Sequence, residues 1–231
     1  MIFSLLLIMT DPVYNEIKQE FQLERMIFFS DAVFAIAITL LIIELKVPEI
    51  FRPITEDKLL DSLGLLIPKF IGFIVSFFLI GLYWTIHHSI FGYVIKYNTR
   101  LLWINLLFLF GIVLMPFSTS FFSEYFLELK KTPVVIYTIN ICYLGLMNYF
   151  LWRYITSPKH LLTEKLPAHL RTYRSFRAII VPVIFICMLT LYLFSPQYAI
   201  FIPPLIPLIM YLISIIYKRK YKDQPLRKSG N

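Results

Sequence analysis

The stretch R-M-I-F-F-S-D-A-V-F-A-I-A-I-T-L-L-I-I-E-L, Arg25 to Leu45, decides the fold. From Met26 to Ile43 it is apolar apart from Ser30, Thr39 and one acid, Asp31. That length matches the ~20 residues a helix needs to cross a bilayer core. A carboxylate near mid-bilayer costs roughly 2.5–3.5 kcal/mol even on gentle scales, so an acid in such a span calls for partners or a role.

The rest of the chain follows the same pattern. It has 231 residues, 58% hydrophobic and 16% charged, with a mean hydropathy of +0.73. Soluble domains carry about a quarter charged residues. Hydropathy places six spans, at about Met26–Lys46, Leu63–Ser89, Leu101–Phe122, Pro133–Trp152, Ala178–Phe194 and Tyr198–Tyr217. The expected fold is all-α, a polytopic membrane protein with six transmembrane helices. Residues 1–25 form an N-terminal cytoplasmic or interfacial segment, 26–217 the membrane domain, and 218–231 a basic cytoplasmic tail. Met1–Thr10 is apolar but short and lacks a basic leading region, so it is not read as a signal peptide.

Lysine and arginine set the orientation. With the N-terminus in the cytoplasm, sixteen of the 22 basic residues fall in inside segments, and the positive-inside rule gives N-in, C-in. The net charge of +8 therefore reads as membrane orientation and contact with anionic lipid, with no nucleic-acid partner. Arg171, Arg174 and Arg177 lie three apart but precede an apolar run, and are counted with the inside charges.

Nothing in the sequence points to an enzyme. His87, His88, His160 and His169 sit in no metal-ligand spacing, and Cys142 and Cys187 lie singly in apolar segments. There is no nucleophile elbow and no phosphate-cradling loop. No cofactor and no resident metal are expected.

The polar residues inside the spans are more informative. Given the orientation, Ser30, Asp31, Trp84, His87 and Asn105 lie at similar depth near the cytoplasmic ends of the first three helices. A buried carboxylate needs donors, and indole N–H, imidazole and amide are suitable ones. A polar cluster follows, which either fixes helix packing or contacts an ion. On another side of the first helix, Ile36, Thr39, Leu40 and Ile43 fall within one stripe of about 100°. Ser30 and Asp31 point roughly 130° from that stripe, to either side. Periodicity leaves open whether it packs on a helix, faces lipid or lines a pore.

The arrangement Arg25-x-x-x-Phe29-Ser30-Asp31, followed by A-V-F-A-I-A-I-T-L-L-I, resembles the transmembrane protein 175 family of lysosomal and prokaryotic potassium channels. Trp84-x-x-His87, Asn105 and Met115-Pro116-Phe117-Ser118-Thr119 extend the likeness across three helices. A single six-helix unit resembles the prokaryotic branch, whose members are tetramers in the plasma membrane. The resemblance implies a potassium channel with K+ as its permeant partner and the first helix of each subunit lining a central pore. It implies Ile36, Leu40 and Ile43 as the pore constriction and Thr39 as a selectivity residue. It also implies Arg25, Ser30, Asp31, Trp84, His87 and Asn105 as a hydrogen-bond network that holds the pore helix. A secondary transporter using Asp31 and His87 as a proton relay is the alternative from another class. A third is an assembly subunit with no flux of its own.

Overall fold

The computed structural model describes residues 12–125, 128–164, 166–199 and 201–221. Eight helices follow in chain order. They are α1 Pro12–Ile43, α2 Glu56–Phe91, α3 Thr99–Val113, α4 Met115–Glu124, α5 Lys131–Ile155, α6 Ala168–Phe194, α7 Pro196–Ala199 and α8 Leu205–Lys220. The only β-type pairing among the described residues is a bridge between Val94 and Thr163. The protein is all-α.

Five helical segments are long and apolar enough to cross a membrane: Ile17–Ile43, Glu56–Phe91, Thr99–Glu124, Lys131–Ile155 and Ala168–Phe194. The third of these combines α3 and α4. Pro116 lacks the N–H that would bond the Ile112 carbonyl. Bonds resume on either side, from Leu114 N–H to Phe110 O at 3.1 Å and from Ser118 N–H to Leu114 O at 3.0 Å. The interruption is therefore confined to Leu114.

Two expected boundaries differ. The segment before residue 26 is helical from Pro12 onward and continuous with the first span, while residues 1–11 lie outside the described residues. The sixth segment is not one helix over Tyr198–Tyr217. It is the single turn α7, turns through 201–204, and then α8. Pro203 and Pro204 are two successive residues with no N–H for a helical ladder, and the long helix starts just beyond them, with Pro204 at its N-cap. At 1.5 Å per residue the 16 residues of α8 span about 24 Å, less than the ~30 Å hydrocarbon core. The basic residues Lys218, Arg219 and Lys220 form its last turn, and residues 222–231 lie outside the described residues.

Capping explains where the other helices start. Thr55 precedes α2 and its hydroxyl accepts from Lys58 N–H, with Glu56 and Asp57 in the first turn. Asn98 precedes α3 and accepts from Leu101 N–H at 2.8 Å. The same Asn98 oxygen accepts from Tyr154 at 3.2 Å, which ties the end of α5 to the start of α3.

In the interior, α5 packs on α3, α4 and α6, while α1 lies against α2, α3 and α4. Hydrophobic attraction between helices is weak in lipid, so close backbone approach at small residues carries much of the packing. Gly145 on α5 faces the ring of Pro182 on α6. A Cβ at Gly145 would fall 2.0 Å from Pro182 Cγ, and a proline ring cannot swing aside. Gly145→Ala should therefore destabilise the bundle by about 1–3 kcal/mol. Gly64→Ala, where nothing lies within 4 Å, should not. Thermal unfolding of both variants in detergent checks this, and equal melting temperatures would count against the α5–α6 packing.

Candidate functional site

The buried face of α1 is a stripe of Leu23, Met26, Ser30, Phe34, Ala37 and Leu41, at helical spacing. Its middle carries the polar contacts. Asn105 of α3 donates from Nδ2 to Ser30 Oγ at 2.8 Å, and its Oδ1 meets His87 Nε2 of α2 at 2.8 Å. Ser30 Oγ donates to Met26 O at 2.8 Å. All three side chains are buried. Since the Asn105 carbonyl can only accept, the imidazole carries its proton on Nε2 in this arrangement. Donors then run one way, from His87 through Asn105 and Ser30 to the backbone of α1. Phe34, Phe91 and Phe108 surround the ring, with centroids 5.5, 4.3 and 5.7 Å away. His87 Nδ1 is buried without a partner.

Asp31 lies beside this chain and is not part of it. Its Oδ1 accepts from Trp84 Nε1 at 2.9 Å in a more exposed setting. No hydrogen bond joins Asp31 to His87, so the structure contains no direct path for a proton between them. Arg25, the sixth residue of the expected network, is exposed and lies over the Phe21 ring at 5.7 Å. The structure thus brings five of the six together as two adjacent bonded groups and leaves Arg25 apart. Further along α1, Glu44 accepts from Ser120 of α4 at 2.8 Å.

The opposite face of α1 makes no such contacts. Ile36 is 58% exposed, Leu40 40% and Ile43 66%, and Thr39 is exposed among them. The Thr39 hydroxyl donates back to Ile36 O at 2.9 Å and lies 3.1 Å from Ala35 O. Its proton is thereby occupied by the helix, and its oxygen lone pairs remain available. Among the described residues no group of three or more His, Cys, Asp or Glu is placed to hold a metal ion.

A family model described as the endosomal/lysosomal potassium channel TMEM175 matches residues 25–116, which contain the polar residues of the buried face and the whole row from Ile36 to Ile43. A potassium channel of Streptomyces collinus is 36% identical over 142 residues, 61% of this chain and 68% of that one. A potassium channel of Chamaesiphon minutus is 31% identical over 155 residues, 67% of this chain and 76% of that one. The chain belongs to the TMEM175 family. A crystal structure described as a lysosomal potassium-selective channel TMEM175 homolog from Chamaesiphon minutus superposes with a TM-score of 0.69 at 25% identity. That match covers 85% of this chain and 98% of the other.

This TMEM175 chain holds a second polar cluster that the sequence reading did not assemble. Ser76 of α2 accepts from Thr119 of α4 at 2.7 Å and lies 2.8 Å from the Tyr137 hydroxyl of α5. Asn140 donates to Ser118 Oγ at 3.0 Å. Ser76, Tyr83 and His87 share the buried stripe of α2. The two clusters are eleven residues, about 16 Å, apart along one helix face. The signal was present as Ser118, Thr119 and Asn140 inside apolar spans, but neutral polar groups stand out less than an acid.

Asn105 joins three helices, whereas Trp84 and Asp31 join two at a wetter position. Asn105→Leu leaves the buried imidazole N–H without an acceptor, which costs about 1–3 kcal/mol. Trp84→Phe should cost less. Melting temperatures in detergent should rank Asn105→Leu below Trp84→Phe. The reverse ranking would make the Asp31–Trp84 bond the main clamp on α1.

Proposed function

We propose that this TMEM175 protein is a subunit of a homotetrameric potassium channel in a prokaryotic plasma membrane, with both termini in the cytoplasm. Four copies of α1 surround the pore, with Ile36, Leu40 and Ile43 as successive aliphatic rings and Thr39 between them. The observation that carries this reading is the division of α1 into two faces. One is buried and hydrogen-bonded within its own subunit, while the other holds a regular row of aliphatic side chains with no partner in it. The relatives named as potassium channels supply the ion.

The chemistry follows from the side chains. A ring of isoleucines offers an ion no ligands, so the ion must shed water there, and such a constriction can gate by dewetting. Potassium releases water more cheaply than sodium, which gives a preference without a carbonyl-lined filter. Thr39 oxygens, with their protons turned toward the helix, can replace part of the lost hydration. Ser30, Asp31, Trp84, His87 and Asn105 act as support that fixes the rotation of α1, and so the direction in which Ile36 points.

Purified protein reconstituted in planar bilayers with a potassium gradient tests the reading directly, through resolvable single-channel currents. Ile36→Asn should raise conductance several-fold and lower the potassium-to-sodium permeability ratio. Thr39→Val, which keeps the shape and removes the hydroxyl, should lower the ratio with less effect on conductance. Currents unchanged by Ile36→Asn would remove the constriction from this position. A slow, saturating flux without unitary currents would favour a transporter.

A further inference from the structure

At the end of the bundle that holds Arg153 and Lys218, a cavity of about 480 Å³ opens between α2, α5, α6 and α8. Arg174, Arg177 and Lys218 line it, with Ser89, Asn148 and Tyr217. Arg174 and Arg177 are three residues apart and share a face of α6. Among the described residues no carboxylate lies within 4 Å of any of the three cations.

The arginines are held in place but not neutralised. Arg174 donates from one terminal nitrogen, Nη2, to Ser89 at 2.9 Å and to the Tyr93 hydroxyl at 3.3 Å. Its guanidinium carbon sits 5.0 Å from the Tyr93 ring and 5.2 Å from the Trp152 ring. Nη1 and Nε of Arg174 are left to bind something else. Arg177 donates to Tyr173 at 3.3 Å, and its Nε is buried with no partner. Buried N–H groups on a cation require an acceptor. Paired guanidinium groups suit the tetrahedral oxygens of phosphate.

A second cavity of about 680 Å³ continues from the first along α2, and Leu82 and Thr85 line both. Its walls are otherwise almost wholly apolar and include Ile74, Phe78 and Trp84 of α2, with Ile206, Pro207 and Met210. A basic pocket opening into an apolar groove that runs along the span matches one kind of molecule, with a charged head and long hydrocarbon chains. We propose that this continuous groove binds an anionic phospholipid. Its phosphate lies on Arg174, Arg177 and Lys218, and its acyl chain lies between α2 and α8. The groove explains why the phosphate arrives on a lipid and not free in solution: an inorganic phosphate would fill only the basic end.

The test is binding by purified, delipidated protein in detergent, read as thermal stability, so it does not depend on ion flux. Dioleoyl-phosphatidylglycerol should raise the melting temperature by ~5 °C or more near saturation. Dioleoyl-phosphatidylcholine and inorganic phosphate should do much less. The double variant Arg177→Gln with Lys218→Gln leaves the stacked Arg174 in place. It should fold normally and weaken the phosphatidylglycerol response ~10-fold in lipid concentration. Met210→Trp, which fills the apolar groove and leaves the cations untouched, should weaken it as well. If inorganic phosphate alone reproduced the shift, the site would be a soluble-anion site and the lipid would be wrong. Equal responses to the two lipids, or an undiminished response in the double variant, would overturn the proposal. So would stabilisation that depended on protein concentration and not on lipid, which would assign the groove to a second copy of the chain.

Discussion

The chain of bonds from His87 through Asn105 to Ser30 is the contact on which the arrangement of α1 depends. In a bilayer interior each polar side chain must find a partner within the protein, because no water is available to replace it. Rotating α1 by one residue would carry Ser30 about 100° away from Asn105 and leave the buried Asn105 amide N–H without its acceptor. Sliding it by one turn would do the same. Apolar packing among helices of similar surface tolerates many rotations. A single hydrogen-bonded serine in the buried stripe does not. The small residues Ser30 and Ala37 on that stripe add close approach to the same constraint.

Fixing one face of α1 also fixes the other. Ile36 and Ile43 lie roughly 120–140° from Ser30 around the helix, and Thr39 lies directly opposite it. The subunit's own contacts therefore determine what α1 shows to whatever lies beyond the subunit. Asp31 fits this division, because its partner is Trp84 of the same subunit. Charge near a cation pathway would otherwise suggest an ion ligand. Here the carboxylate is engaged sideways, toward α2, and away from the stripe of Ile36, Thr39 and Leu40.

Much of this was legible in the sequence because the signals were strong and local. Apolar runs of fixed length gave the long helices, and an acid inside one of them pointed to its donors. Ser30, Asn105 and His87 could be matched because alternate helices run in opposite directions, which places their ends at common depths. Arg25 could not be placed in the same way, because a long basic side chain at a helix end reaches several partners or none. The cluster of Ser76, Thr119 and Tyr137 stayed hidden for another reason. Hydroxyls can bond their own helix, so their presence in a span does not demand a neighbour. Hydropathy also failed at Tyr198–Tyr217, since it counts apolar character and does not register that the adjacent Pro203 and Pro204 remove two successive ladder donors.

That failure has a structural consequence beyond the boundary itself. The prolines delay the helix until Leu205, and Pro203, Pro204 and Pro207 stand at the wall of the apolar groove as rigid, donor-free surface. What remains of the segment, α8, contacts α6 and delivers Lys218 to the mouth of the basic cavity. The same sequence feature thus shortens the last helix, leaves hydrocarbon-lined space beside α2, and sets a cation at one end of it. The arginines of α6 belong to this arrangement. Their spacing reads in the sequence as inside charge before a span, and in the structure as two donors at the polar end of a groove with apolar walls.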